Sequence, residues 1–352
     1  LLLFFRKEGL PVTPLTRAGP RRVQNSVTAE YPAGTIQNGV IAMFSLKSTL
    51  AAASIAVMAC SSALHAQTFT FTTLDNPGDP TFNQLLGIND NGVISGYFGS
   101  GMQGHPNIGY TIAPPYTSYT PFMQPGSIQT QATGINNAGM ITGFWSSTNF
   151  GTGDTNYGLL SQPTGNSATF LSVTDPLVGT APTTDQALGV NNNNIAVGFY
   201  VDANGVSHGF TYKIGSAEYT PVKIKGSTSV AATGINDGNE ICGSFTNTKG
   251  NTVGFVSNQS GSVVTKFTVP GTKFTQLLGL NNEGVAVGFY YDSNMIPHGL
   301  YYTPSNGNWL AVNDPEGAQG TVVNGINNKG ELVGFYTDAA GNTHGMIVTV
   351  SQ

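Results

Sequence analysis

Short stretches of this chain alternate polar and apolar residues with a period of two, and none of the repeated region carries the helical period. From Thr68 the chain reads T-F-T-F-T-T-L-D-N-P-G, from Tyr219 Y-T-P-V-K-I-K-G, and from Val263 V-V-T-K-F-T-V-P-G. Such alternation predicts half-buried strands, and each run stops at Pro-Gly or a comparable turn. A phrase that occurs six times follows, beginning at Gly87, Gly134, Gly189, Gly234, Gly279 and Gly325. The first copy is G-I-N-D-N-G-V-I-S-G-Y-F and the last G-I-N-N-K-G-E-L-V-G-F-Y. Asn-Asp or Asn-Asn followed by Gly marks a tight turn, because Asn and Gly tolerate positive φ. The apolar run after it predicts a second strand. A third element, V-D-A-N-G-V-S-H-G-F-T-Y from Val201, recurs as Y-D-S-N-M-I-P-H-G-L-Y-Y from Tyr291 and T-D-A-A-G-N-T-H-G-M-I-V from Thr337. It adds another turn and a strand that starts His-Gly.

The phrases are spaced by 47, 55, 45, 45 and 46 residues. Four short antiparallel strands per unit of about 45 residues is the size of one propeller blade. The predicted fold class is therefore all-β, a six-bladed β-propeller. The predicted units are 67–114, 115–165, 166–214, 215–258, 259–303 and 304–350. The second is the longest and holds Ser146–Asn156, a Gly/Ser/Thr/Asn-rich stretch read as an extended loop. An open β-solenoid is the competing architecture; its rungs run nearer 20–30 residues and it needs caps. A closed ring needs none, since its ends meet.

The termini give a domain plan: 1–42, 43–66 and 67–352. The first Met is Met43, and residues 1–42 have a different, Arg/Pro-containing composition. They are read as an upstream extension, disordered and packed against nothing in the propeller. Met43–Ala66 reads as a signal peptide, with Lys47 as its positive region, Leu50–Ala59 as its apolar run and cleavage after Ala63 or Ala66. The run falls short of the roughly 20 residues that span a bilayer, so no membrane span is expected in the mature chain. The expected location is extracellular or periplasmic. Lipid anchoring at Cys60 is disfavoured because Met58 fits a lipoprotein box poorly. Cys242 is expected to be a small buried hydrophobe.

Only 9% of the residues are charged, against about 25% in an ordinary soluble domain. Asn, Thr, Ser and Gly supply the polarity instead. The net charge of −5 and the scattered lysines exclude a phosphate-backbone partner, which demands Lys/Arg clusters.

The recurring G-I-N-x-x-G-x-x-V-G-F-Y, D-x-x-G-x-x-H-G-F and Pro-Gly-ended strand together resemble the bacterial extracellular repeat proteins called the HAF family. The resemblance covers about Gln67–Val350. It implies secretion and a propeller-like β-fold and lends no catalytic residues. The fourth unit departs from it at Ser244-Phe245 and Val253-Gly254, and the second has Tyr157-Gly158 in place of His-Gly.

Candidate chemistry is sparse. His208, His298 and His344 recur at one position and would lie on a circle, where they could converge on a metal or ligand. Alternatively each caps a turn. No Asp/Glu/Cys set stands at metal-ligand spacing. Asp202 and Asp292 sit in turns faintly like calcium loops, but each turn offers one Asp where calcium wants several oxygen ligands, so no cofactor is expected. Tyr97-Phe98, Phe144-Trp145, Phe199-Tyr200, Phe289-Tyr290 and Phe335-Tyr336 recur in register. Both members of a pair can pack between blades; if exposed, Trp145, Tyr200, Tyr290 and Tyr336 would suit stacking on sugar rings. Nothing in the sequence supports nucleophilic catalysis by a Ser/His/Asp arrangement. Asp237, Glu240, Glu283, Glu316 and Glu331 could supply paired carboxylates for glycoside hydrolysis, though turns explain them as solvated charges. The expected function is a non-catalytic binding or interaction module whose partner is a glycan or a cell-surface protein. The alternative is a carbohydrate-active lyase or hydrolase with its site at the propeller channel.

Overall fold

The computed structural model describes residues 24–28 and 67–351, except 103, 149–155, 165–166, 174–183, 260 and 263. Among the described residues the regular elements are strands, with no helix long and apolar enough to cross a membrane. They form six antiparallel blades in a ring, so the predicted six-bladed propeller is observed. Strands β1 (Gln24–Thr28) and β2 (Thr68–Thr73) come first in the chain. Blade 1 holds β3 (Asn83–Ile88), β4 (Ile94–Phe98), β5 (Ile108–Ile112) and β6 (Tyr119–Phe122). Blade 2 holds β7 (Gln129–Ile135), β8 (Ile141–Ser146), β9 (Tyr157–Thr164) and β10 (Ser167–Val173). Blade 3 holds β11 (Thr184–Val190), β12 (Ile195–Val201), β13 (Ser207–Lys213) and β14 (Glu218–Val222). Blade 4 holds β15 (Ser227–Ile235), β16 (Ile241–Asn247), β17 (Thr252–Ser257) and β18 (Val264–Phe267). Blade 5 holds β19 (Thr275–Leu280), β20 (Ala286–Tyr291), β21 (Pro297–Thr303) and β22 (Asn308–Val312). Blade 6 holds β23 (Gly320–Ile326), β24 (Leu332–Thr337) and β25 (Thr343–Ser351), and β2 completes it as the fourth strand.

The ring therefore closes by sharing strands between the chain's two ends. Thr68–Thr73 pairs antiparallel with Met346–Ser351. The predicted units are offset from the blades by one strand. The alternating strand before each phrase was grouped with that phrase, but it pairs with the strand of the preceding blade, as β14 does with β13. Within residues 1–42, Gln24–Thr28 lies antiparallel along Thr68–Thr73, so this stretch does pair with the propeller, contrary to the expectation that it packs against nothing. The signal-peptide reading over 43–66, Cys60 included, and most of the expected 146–156 loop lie outside the described residues.

Two glycines of the phrase are explained by backbone approach. In every blade the inner strand carries an irregular step, as between Leu85 and Gly87 or Leu277 and Gly279. It drives a carbonyl against the next strand, and a Cβ on Gly96 or Gly288 would overlap the carbonyl oxygen of Gln84 or Gln276. The first glycines meet each other around the axis. A Cβ on Gly87 would lie 2.9 Å from Gly134 Cα, and one on Gly325 would lie 3.3 Å from Gly87 Cα, which closes the circle. Only a residue without a side chain lets six inner strands approach so closely.

The core sits between blades. Ile195 and Val197 of blade 3 pack with Val230, Ile241 and Phe255 of blade 4. Leu85, Ile94 and Tyr110 of blade 1 pack with Val333 of blade 6. Each such buried side chain contributes about 1.5–3 kcal/mol. Cys242 is fully buried, as expected, and burial pushes its thiol up to about 12, so it is an inert packing residue.

Candidate functional site

Each inner strand ends in the phrase's Asn, and these six residues ring one mouth of the axis. The Oδ1 of Asn191 accepts from the amides of Asn193 at 3.1 Å and Ile195 at 3.0 Å, holding the turn as predicted. Its Nδ2 does something no turn requires. It donates to the carbonyl oxygen of Asn236 in the next blade at 3.0 Å. Asn236 reaches Asn281 at 3.1 Å, Asn281 reaches Asn327 at 3.4 Å, and Asn327 reaches Asn89 at 3.1 Å. Asn89 donates to Asn136 at 3.0 Å and Asn136 to Asn191 at 3.1 Å. The circle is complete, and all six side chains are buried.

A second circle lies directly outside it, formed by the next residue of each phrase. The Asp90 amide donates to Asn137 Oδ1 at 2.9 Å, and the bond recurs from blade to blade until the Asn328 amide donates to Asp90 Oδ1 at 2.9 Å. Around the ring the residues run Asp90, Asn137, Asn192, Asp237, Asn282, Asn328. The two carboxylates thus face each other from blades 1 and 4. Each is held by its neighbours: Asn137 and Asn328 donate to Asp90 Oδ2 at 2.7 and 2.9 Å, and Asn192 and Asn282 to Asp237 Oδ2 at 3.0 and 2.9 Å. Burial opposes ionisation of Asp90, but the bonds from Asn137 and Asn328 and the charge of Lys329 outweigh it and lower its pKa. Burial likewise opposes ionisation of Asp237, and bonds from Asn282 and Asn192 outweigh both that and the repulsion of Asp90. Both are ionised at neutral pH. The two circles line a cavity of about 80 Å³ on the axis. The four Asn of the outer circle are exposed and the two Asp half-buried.

Of the residues nominated from the sequence, the carboxylate of Asp237 stands in the outer circle, whereas the aromatics and histidines lie elsewhere. The inner strands run toward the mouth and the next strands run away from it, so the turn after β12 and its equivalents lie on the opposite face. There Tyr200 stands directly across from His208, Tyr290 from His298 and Tyr336 from His344. The rings stack at 4.9, 5.2 and 5.0 Å between centroids. In the second blade Tyr157 takes the place of the histidine across from Trp145, its ring tilted by 31° at 4.7 Å between centroids. Tyr200 and Tyr336 are 8% and 2% exposed, and their neighbours cover the ring face a sugar would need. Tyr290 and Trp145 are half-buried, and Tyr290 also packs edge-on against Trp309.

The three histidines do not converge. Each pairs with the Asp of its own turn: His208 with Asp202 at 2.9 Å, His298 with Asp292 at 3.4 Å, His344 with Asp338 at 3.2 Å. Each histidine thus caps its turn through the side chain of that turn's Asp. The turn amides of Asn204 and Val206 take the other oxygen of Asp202, so its carboxylate is committed to the hairpin. Among the described residues no group of three or more His, Cys, Asp or Glu is placed to hold a metal ion.

One cluster breaks the symmetry. In the connection from blade 5 to blade 6, Asp314 is 7% exposed and burial pushes its carboxyl up to about 6. Beside it, Tyr336 donates to Glu316 Oε2 at 3.1 Å and shares a hydrogen bond of 3.1 Å with Thr73 Oγ1. His344 lies between Asp338 and Asp75. Of these, Glu316 was nominated from the sequence as a paired carboxylate, and its partner Asp314 was not.

Apart from Asp237, the mouth residues escaped sequence reasoning, because turn chemistry alone accounts for the Asn of each phrase. One clue was available. Asn persists at the third position of all six phrases even where Asn194 and Asn239 replace the turn glycine, a constancy the turn alone does not impose.

No family model matches the chain, and no curated protein matches it in sequence. Solved structures do resemble it. One belongs to a study of two prolyl endopeptidases, with a TM-score of 0.43 and 10% identity, covering 80% of this chain and 43% of that one. Another is TolB from Acinetobacter baumannii, with a TM-score of 0.47 and 10% identity, covering 72% of this chain and 63% of that one. The chain thus spans less than two thirds of either protein's length.

Proposed function

We propose that this chain is a non-catalytic binding module of the HAF repeat type, exported from the cell, which holds a glycan at the axial mouth. One observation carries the reading: six copies of the phrase deliver four carboxamides and two carboxylates to one axis, around a cavity. Carboxamides donate and accept, carboxylates accept, and each Asn side chain has a second N–H beyond the one given to its Asp neighbour. Such a set matches the paired donors and acceptors of a polyhydroxylated ligand better than an apolar one. Export is supported by the apolar run Leu50–Ala59 behind Lys47. The test is a glycan array probed with the purified full chain. Selective retention of one glycan class supports the reading; a blank array overturns the glycan and turns the search to a protein partner.

A carbohydrate-active enzyme is favoured by one observation, the buried Asp314 carboxyl beside Glu316 and Tyr336. It predicts turnover of an array ligand that disappears in Asp314→Asn, and no turnover refutes it.

A further inference from the structure

The stacked histidines differ in what faces their second nitrogen. His208 has Asp202 on Nε2. His298 has Asp292 on Nε2 and the neutral Asn313 Oδ1 on Nδ1 at 3.3 Å. His344 has a carboxylate on each side: Asp338 on Nε2 at 3.2 Å and Asp75 on Nδ1 at 2.9 Å. An imidazole can donate to two carboxylates only when both nitrogens carry hydrogen, which makes it a cation. Asp75 and Asn313 are equivalent, each just beyond the outer strand of its blade. Of the three blades with a stacked histidine, only blade 6 places a carboxylate there, blade 3 having Lys223, and blade 6 takes its outer strand from the other end of the chain.

We propose that His344 is a proton-operated latch on ring closure, tying the segment after β2 to the turn of the last blade while it is protonated and weakening the docking of β2 when it is not. Charged and titratable groups approach it from every neighbouring element. Asp75 follows β2, Asp338 belongs to its own turn, and Asp314 comes from the blade 5–6 connection with Glu316 beyond Tyr336. From blade 1, Tyr119 donates to the Asp75 carbonyl at 3.1 Å. Loss of the proton leaves these carboxylates around a neutral ring. Asn342 Nδ2 still holds Asp338 at 3.0 Å, so the loss falls on the tie to Asp75.

The direction with pH follows. Burial would lower the His344 pKa, but Asp75 and then Asp338 raise it from 6.5 to about 8. A raised pKa of the folded form means the tie is complete below about 6.5 and lost as pH rises through about 8. That difference corresponds to about thirtyfold in the closing equilibrium.

The test is hydrogen exchange on the full chain between pH 6 and pH 9.5, corrected for intrinsic rates, following the amides of Thr68–Thr73 against those of Ile195–Val201. The wild type is expected to lose about thirtyfold protection in Thr68–Thr73 across this range and little in Ile195–Val201. His344→Gln should remove the pH dependence, while His298→Gln should keep it. An unchanged wild-type profile, or a drop that survives in His344→Gln, overturns the latch. Should His344→Gln fail to fold, Asp75→Asn retains the imidazole and removes one carboxylate. The drop should then move to lower pH, and an unmoved drop overturns the proposal.

Discussion

The Nδ2 of Asn327 donates to the carbonyl oxygen of Asn89 at 3.1 Å, joining residues 238 positions apart. It is the same bond that Asn191 makes to Asn236 across one blade boundary. The ring is thus closed twice, by β2 at its rim and by this amide at its mouth. Each of the six Asn satisfies a buried carbonyl and its own turn together, which makes the mouth rigid before any ligand arrives.

Replacing one of them removes several bonds at once. Asn191→Ala would strand the amides of Asn193 and Ile195 and take from the Asn236 carbonyl one of its two donors, leaving it the Asn239 amide. The expected cost is about 2–4 kcal/mol, since unsatisfied buried groups cost about 1–3 kcal/mol each and some regain water. Denaturant unfolding of the variant checks this.

The glycine circle makes a prediction of opposite kind, too much atom rather than too little. A Cβ on Gly189 would lie 2.8 Å from the Thr233 carbonyl and 3.2 Å from Gly234 Cα. Gly189→Ala should cost about 1–3 kcal/mol, the range of overpacked cores. Gly238→Ala, where the nearest atom is Asn236 Oδ1 at 3.2 Å, should change stability by less than about 0.5 kcal/mol. Thermal unfolding of both variants side by side gives the comparison.

Asp314 offers a substitution that stabilises. Its folded pKa of about 6 exceeds the ordinary 3.8, so its contribution is full below about 3.8 and lost as pH rises through 6. The equivalent Asn76 accepts the Gly78 amide at 2.8 Å, as Asp314 accepts that of Glu316 at 2.9 Å. Asp314→Asn keeps that bond and removes the buried charge. Unfolding free energies should therefore rise by about 1–2 kcal/mol at pH 8 and change little at pH 4. A variant less stable than wild type at pH 8 would contradict the assignment.

The stacked tyrosines should behave as packing residues. Tyr200→Ala is expected to cost about 3 kcal/mol, in the range of large aromatic deletions from a core. Tyr336→Phe loses only its bonds to Glu316 and Thr73, about 1 kcal/mol. Calorimetric unfolding measures both, and neither should alter ligand affinity while the protein remains folded.

Much of this architecture was legible in the repeat. The turns, the strands and the number of blades follow from Asn-Gly chemistry and alternation, because those features are local. The blade boundary was not, and the reason is symmetry. A run of identical units reads the same wherever the cut is placed. Only the ends distinguish the cuts, where Thr68–Thr73 and Thr343–Ser351 each lack a neighbour and find one another. The aromatics misled for a related reason. A Gly-aromatic strand looks the same whether Tyr200 faces solvent or lies beneath His208, since the partner is set by cross-strand register. His208 and Asp202 are six residues apart, and the hairpin alone brings them together.

The mouth as a binding site is tested most directly by the outer circle. Asp90→Ala and Asp237→Ala together remove both carboxylates and leave the six buried Asn in place. Isothermal titration of the full chain with the ligand retained on the array should show affinity falling at least tenfold in the double variant, with its melting temperature lowered only modestly. Unchanged affinity in a folded double variant would place the ligand away from the axis and contradict the account.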